Sequence, residues 1–239
     1  MKKTALLISL IFISLQLLAQ ISLKDHNKAI KYYNEALKNY KKGSNNLTIE
    51  NLKKSINIDS TYRESYVLMY HSTDKLNEDS VQKIYLRKAN NLFTEDDEFY
   101  YYMGLNFRKV ENLDSAIFYF TKAIDLSKVN GEDFELVYSY YSNRGICYLY
   151  KELWSKSLFD LNYSLKLDST HSNVYTNRGI VLFKLNRKDE ACMSWKTASE
   201  MGESYAIEYL VENCDKNFKA LPPKKIKVYK VVKKKKKKK

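Results

Sequence analysis

A period of 34 residues runs through most of this 239-residue chain and constrains its fold more than any other feature. The string Tyr-Ser-Asn-Arg-Gly-Ile at 141–146 returns as Tyr-Thr-Asn-Arg-Gly-Ile at 175–180. Each glycine, Gly145 or Gly179, is followed at fixed offsets by a small residue (Ser157, Ala191), a bulky one (Leu161, Trp195) and a second small one (Ser164, Ala198). Gly104 carries the same frame with Ala116, Phe120 and Ala123, and seven extra residues, 131–137, separate its unit from the next. Continued toward the N-terminus, the frame gives windows 29–62 and 63–96, ahead of 97–130, 138–171 and 172–205. Their glycine places hold Ala36 and Tyr70, yet Leu52 with Ser55 and Leu86 with Ala89 keep the order of bulky and small. The fourth place of each window, which played no part in setting the frame, is always tyrosine: Tyr32, Tyr66, Tyr100, Tyr141 and Tyr175.

A unit of this length accommodates two amphipathic helices and a tight turn. With only two prolines and six glycines, the chain has few breakers and must consist mainly of helices. Small residues at the crossing let two helix axes approach, and one such pair cannot bury its apolar face without neighbours. These features resemble the tetratricopeptide repeat, most closely in windows 97–130, 138–171 and 172–205. The resemblance implies an all-α fold, a right-handed α-solenoid of five helix-turn-helix repeats over 29–205. Residues 203–217 supply a capping helix with Tyr205, Ile207, Leu210 and Val211 on its apolar side. Two departures stand out. No window has the closing proline; Ser60 and Ser169 stand there and are expected to cap the next helix. The leucine before the glycine is replaced by Arg144 and Arg178, which makes that face more polar.

In the resembled family the first helices of successive repeats line a groove that holds a peptide or a partner helix. Carried onto this sequence, the groove places include Asn34, Asn143 and Asn177, whose amides both donate and accept hydrogen bonds. The same geometry puts Tyr33, Tyr101, Tyr102, Ile146, Leu149, Tyr150, Ile180, Phe183 and Lys184 around them. The competing reading is that asparagine is simply common here and that some of the aromatics are core. Arg108, Lys109 and Lys184 are the only basic groove residues, too few for a clamp on a carboxylate terminus.

Chemistry beyond binding has little to stand on. His26, His71 and His171 are isolated, without a cysteine or histidine at ligand spacing. There is no phosphate-cradling glycine loop and no nucleophile elbow. Glu95, Asp96, Asp97 and Glu98 read as acids complementing a helix N-terminus. The expectation is therefore a protein that is not an enzyme, with no cofactor, metal or small-molecule substrate, whose partner is a protein or peptide. Cys192 and Cys214 lie at similar distances either side of Gly202, so a hairpin there would bring them level. They form either a disulfide between the last repeat and the cap or a pair of buried thiols. Cys147 reads as a small buried hydrophobe.

The ends differ from the body. Lys2 and Lys3, an apolar run from Ala5 and a small residue at Ala19 give residues 1–19 the layout of a secretory signal, an uncleaved anchor being the rival reading. Residues 20–28 are then a short lead-in. Lys2, Lys3 and the eleven lysines from Lys224 to Lys239 together account for the whole formal charge of +13. The body is neutral, which argues against a basic nucleic-acid groove. Pro222 and Pro223 open a disordered lysine-rich tail, 218–239, able to meet an anionic lipid, glycan or nucleic acid. The expectation is an exported scaffold, periplasmic, envelope-associated or secreted, that binds a protein segment in its groove; the alternative is a surface-attachment protein that works through its tail.

Overall fold

The computed structural model describes residues 21–131 and 135–215, and every regular element within them is an α-helix. The signal and the lysine tail lie outside the described residues, as do 132–134 of the insertion and 216–217 of the cap. Five A/B helix pairs follow one another: α1 (Leu23–Lys41) with α2 (Asn45–Ile58), α3 (Arg63–Leu76) with α4 (Asp79–Leu92), α5 (Asp97–Lys109) with α6 (Leu113–Asn130), α7 (Val137–Tyr150) with α8 (Trp154–Leu167), and α9 (Ser172–Lys184) with α10 (Lys188–Glu200). The single helix α11 (Ser204–Asn213) comes last. Helix α1 starts within the expected lead-in because Ser22 caps it, its hydroxyl accepting from the Asp25 N–H at 3.0 Å. The chain divides into two compact units between Tyr102 and Met103, inside α5.

The turn inside each pair is closed the same way five times. The residue at the fifteenth place of each window is left-handed: Gly43, Asn77, Glu111, Glu152 and Asn186, with φ from 55° to 77°. The next N–H then reaches a carbonyl five residues back, Ser44 to Asn39, Glu78 to Thr73, Asn112 to Phe107, Leu153 to Tyr148 and Arg187 to Leu182, at 2.9–3.0 Å. This double-back satisfies carbonyls that the helix end would otherwise strand. A left-handed conformation costs a residue with a side chain roughly 1–2 kcal/mol. Its adoption by Glu111 and Glu152 shows that helix pairing, not local preference, dictates the turn.

Turns from one pair to the next rest on aspartate rather than on the serines. Asp59 and Asp168 each accept the N–H (2.8 Å) and the hydroxyl (2.7 Å) of the threonine two residues on, Thr61 or Thr170. Ser60 and Ser169 do not cap: α3 and α9 begin after Tyr62 and His171, neither of which makes a side-chain cap. The reason is reach, since a carboxylate can take both threonine donors at once while the helix start moves two residues beyond the serine. Asp59 is fully buried and also sits 2.6 Å from Nδ1 of His26.

Within a pair, glycine faces bulk. A Cβ at Gly179 would lie 2.3–2.8 Å from the Trp195 indole, one at Gly104 2.5–3.0 Å from the Phe120 ring, and one at Gly145 3.1–3.3 Å from Leu161 and Asp160. Helices therefore cross where a side chain on A is missing and one on B fills the gap. Polar groups on B helices tie the two backbones together. Ser157 donates to the Gly145 carbonyl (2.7 Å) and Gln82, at the same place, to that of Tyr70 (3.2 Å). Ser55 and Ser164, likewise equivalent, donate to Ala29 and Tyr138 at 2.9 and 2.8 Å. In the second unit Leu158, Leu161, Val174, Val181, Trp195 and Leu210 belong to one core cluster spanning α8 to α11. Trp195 stacks on Tyr209 (5.0 Å, 13°) and its indole N–H donates to the Thr176 carbonyl at 3.1 Å. A disulfide joins Cys192 on α10 to Cys214 at the end of α11, with Cα atoms 5.8 Å apart. Cys147 is free and buried, its thiol pushed up to about 11 by burial.

Two outcomes are expected from this packing. Gly179→Ala should lose about 1–3 kcal/mol in urea unfolding and Gly145→Ala distinctly less; equal losses would place the critical crossing elsewhere. Acid should also destabilise the fold through its turns. The Asp59 and Asp168 carboxyls lie below the ordinary range: burial raises them, but hydrogen bonds from Thr61 and His26, and from Thr170 with the charge of His171, outweigh it. Their contribution is complete above the unfolded carboxylate value of about 4 and is lost as pH falls through their lower native values. Thermal melts of Asp59→Asn/Asp168→Asn should therefore show a flatter acid limb than the parent chain.

Candidate functional site

In the first unit, the residues assigned to a groove divide into open and buried. Asn34 is exposed and makes no side-chain hydrogen bond among the described residues. Tyr33 is half-buried, its ring edge-on to Tyr62 at 5.3 Å, and burial raises its phenol. Tyr101 and Tyr102 do not line a groove wall, being only 8% and 3% exposed. Tyr102 turns inward because Tyr70, standing in a glycine place, offers its ring as a stacking partner (centroids 3.9 Å, 15°). The Tyr102 hydroxyl donates to Glu98, lies 3.1 Å from Nε2 of His71, and is pushed far above the ordinary phenol value by burial and by the Glu98 charge. Arg63 grips Glu98 and Asp96 from the other side. These acids therefore serve a structural ion network as well as the start of α5.

In the second unit, helices α7 and α9 carry the remaining candidates. Ile146, Leu149 and Ile180 are half-buried, and the latter two pack on the core cluster. Tyr150, Phe183 and Lys184 are exposed. The two asparagines differ. Asn143 uses its amide nitrogen on its own helix, donating to the Ser139 carbonyl at 2.8 Å, so it does not offer the open amide expected of it. Asn177 is half-buried and makes no side-chain hydrogen bond among the described residues, which leaves its donor and acceptor available. Arg108 is half-buried, its Nε enclosed without a hydrogen-bond partner among the described residues. The site on this unit is thus a stripe of apolar and aromatic side chains with one open amide, Asn177, and one exposed cation, Lys184.

The arginines in the leucine place have a role that reading one repeat at a time conceals. Arg144 forks onto Asp160 of α8 with two bonds of 2.8 Å and reaches the Thr121 hydroxyl at 3.1 Å; Asp160 is 1% exposed. One period later Arg178 meets Ser194 where Arg144 meets Asp160, and its Nε and Nη2 share that one hydroxyl at 3.1 and 3.0 Å. Burial lowers the Arg178 guanidinium. The signal was legible as the pair of places that changes from Arg and Asp to Arg and Ser between consecutive windows. Among the described residues there is no cluster of histidine, cysteine, aspartate and glutamate able to hold a metal, and no helix long and apolar enough to cross a membrane.

The paired A and B helices are similar to those of tetratricopeptide-repeat proteins, and the sequence model of the tetratricopeptide repeat matches residues 14–42 and 97–130. The first of these matches begins inside the apolar run that reads as a signal. Heat shock protein STI1 of Saccharomyces cerevisiae is 33% identical over 94 residues, 39% of this chain and 15% of that protein, so this chain spans a small part of its relative. The fold is similar to that of MamA (TM-score 0.61, 19% identity, 81% of this chain and 98% of that one). It is also similar to that of YrrB, described as having an unusual peptide-binding site (TM-score 0.59, 18% identity, 75% and 90%).

The Arg144 pair yields a direct test. Asp160→Ser, which copies the next repeat, leaves a buried cation uncompensated and should cost about 3–5 kcal/mol in chemical unfolding. Replacing both partners, as Arg144→Leu/Asp160→Leu, should recover most of that loss.

Proposed function

We propose that the chain is a non-catalytic protein-interaction scaffold whose α7–α9 surface receives a segment of a partner polypeptide. The observation that carries this reading is Asn177: an amide with neither donor nor acceptor engaged among the described residues, on a helix face that also presents Ile180, Phe183 and Lys184. An extended peptide offers alternating N–H and carbonyl groups, which one amide can pair with simultaneously. Ile146 and Tyr150 on the neighbouring helix supply apolar and aromatic contact with little charge to desolvate, a composition typical of interface cores. The likeness to YrrB, described as having a peptide-binding site, supports the same class of role.

The setting we infer is outside the cytoplasm. Residues 1–19 carry the basic start, apolar run and terminal small residue of an export signal, and a structural disulfide between Cys192 and Cys214 suits an oxidising compartment.

Pull-down of partner protein by the full chain, compared with Asn177→Ala/Tyr150→Ala and with a chain lacking residues 224–239, tests the proposal. The double substitution should weaken capture ~10-fold or more, equivalent to about 1.4 kcal/mol. Capture should survive tail deletion and a rise in salt from about 50 to about 200 mM. Capture that vanishes on removing the tail and collapses with salt would instead assign the binding to the lysines.

A further inference from the structure

The second unit divides its charges unevenly between A and B helices. Residues 103–109 of α5 and the whole of α7 and α9 contain no aspartate or glutamate. The acids of this unit's helix pairs all stand on the B helices: Asp114, Asp125, Asp160, Asp189, Glu190 and Glu200. A helices are not acid-free by rule, since α1 carries Asp25 and Glu35 and α3 carries Glu64 and Asp74. Cations, by contrast, are kept on the acid-free helices. Two of them turn onto B helices, Arg144 to Asp160 and Arg178 to Ser194. Arg108 and Lys184 make no hydrogen bond or salt bridge among the described residues.

Arg108 is held in place by its surroundings. Its Nε is enclosed without a partner, while its terminal nitrogens are not among the enclosed atoms. Its charge acts on the buried thiol of Cys147, so the guanidinium lies against α7. The twelfth place of successive windows holds Arg108, Leu149 and Phe183, and the thirteenth Lys109, Tyr150 and Lys184. Cations therefore bound a middle of apolar and aromatic side chains, in which Tyr150 is 67% exposed. Both Arg108 and Lys184 stand in a last helical turn, where the dipole favours them, but a helix terminus carries only about half a charge and does not neutralise either. Glu111 and Glu152 lie beyond the helix ends in the left-handed turn places and pair with neither cation among the described residues.

We infer that the segment received by the α7–α9 surface is extended and acidic, with one carboxylate side chain on Arg108, a second on Lys184, and apolar side chains between them on Tyr150 and Phe183. The inference rests on the reading of that surface as a docking site and adds the chemistry of its occupant. Charge complementarity selects it. A basic segment would face two unneutralised cations with no acid on these helices to offset them, and a neutral one would leave the Arg108 fork without the carboxylate it fits. Neighbouring helices pack about 8–10 Å apart, so two steps from α5 to α9 span roughly 20 Å, or about six residues of extended chain. An even spacing also puts both carboxylates on the same side of the strand.

Fluorescence anisotropy with the full chain tests this, using a labelled peptide of about twelve residues with both ends blocked, glutamates about six residues apart and leucines at the same-side places between. Control peptides carry glutamine or lysine in place of glutamate. The glutamate peptide should bind, the glutamine peptide ~10-fold more weakly, and the lysine peptide not at all. Arg108→Gln and Lys184→Gln should each weaken the glutamate peptide about 3-fold or more and leave the glutamine peptide unchanged. Lys184 is exposed, and circular dichroism of the Arg108 variant separates lost binding from lost folding. Equal binding of glutamate and glutamine peptides, both lost in Asn177→Ala/Tyr150→Ala, would overturn the acidic occupant and leave the docking surface standing. Glutamate-peptide binding that ignores both cations and disappears on removing residues 224–239 would overturn it in favour of the lysine tail. Binding of the glutamine peptide only when its terminal carboxylate is unblocked would overturn it in favour of a chain end.

Discussion

The contact on which this architecture turns is that between an absent side chain on the A helix of three pairs and a large one on its B partner. Gly104 facing Phe120 and Gly179 facing Trp195 leave no space for a single added carbon. Because the missing atom sits on the first helix and the filling ring on the second, neither helix can be optimised alone. The pair is the unit of stability. Its apolar remainder must in turn be covered by the next pair, which explains why α11 closes the cluster formed by α8, α9 and α10. The Cys192–Cys214 bond fastens α11, the last helix of the described residues, to α10.

Around this contact the polar groups are arranged so that close approach does not strand them. Serine and glutamine on B helices donate to A-helix carbonyls at equivalent places in different repeats. Turns within pairs double back on carbonyls, and turns between two of the pairs hang on Asp59 and Asp168. Arg144 and Asp160 carry the same logic to charge: a buried anion is tolerated because a fork of two donors meets it. Arg178 keeps the fork without the anion, its Nε and Nη2 sharing the buried Ser194 hydroxyl instead.

Much of the fold was legible because its period is long and its constraints are local. The frame of small and bulky places located the helix pairs, and Tyr32, Tyr66, Tyr100, Tyr141 and Tyr175 kept time with it. The candidate site was legible only in part. Tyr101 and Tyr102 occupy groove places by number, but the ring of Tyr70 in a glycine place draws Tyr102 inward. Asn143 and Asn177 have identical sequence contexts over several residues, yet Ser139 supplies a carbonyl to one and nothing comparable engages the other. Position in a repeat states which way a residue points from its helix; it does not state what it meets there.

The division follows from the range of the forces involved. Helix, turn and pairing depend on residues within one period, so the amino-acid order alone determined that the chain forms paired helices, where each pair lies, and which crossings must be small. Which tyrosines sink into the core, and which buried arginine meets an anion, depend on side chains a full repeat or a partner helix away. Only the assembled helices bring those groups within hydrogen-bonding distance, and only there is a residue's binding role decided.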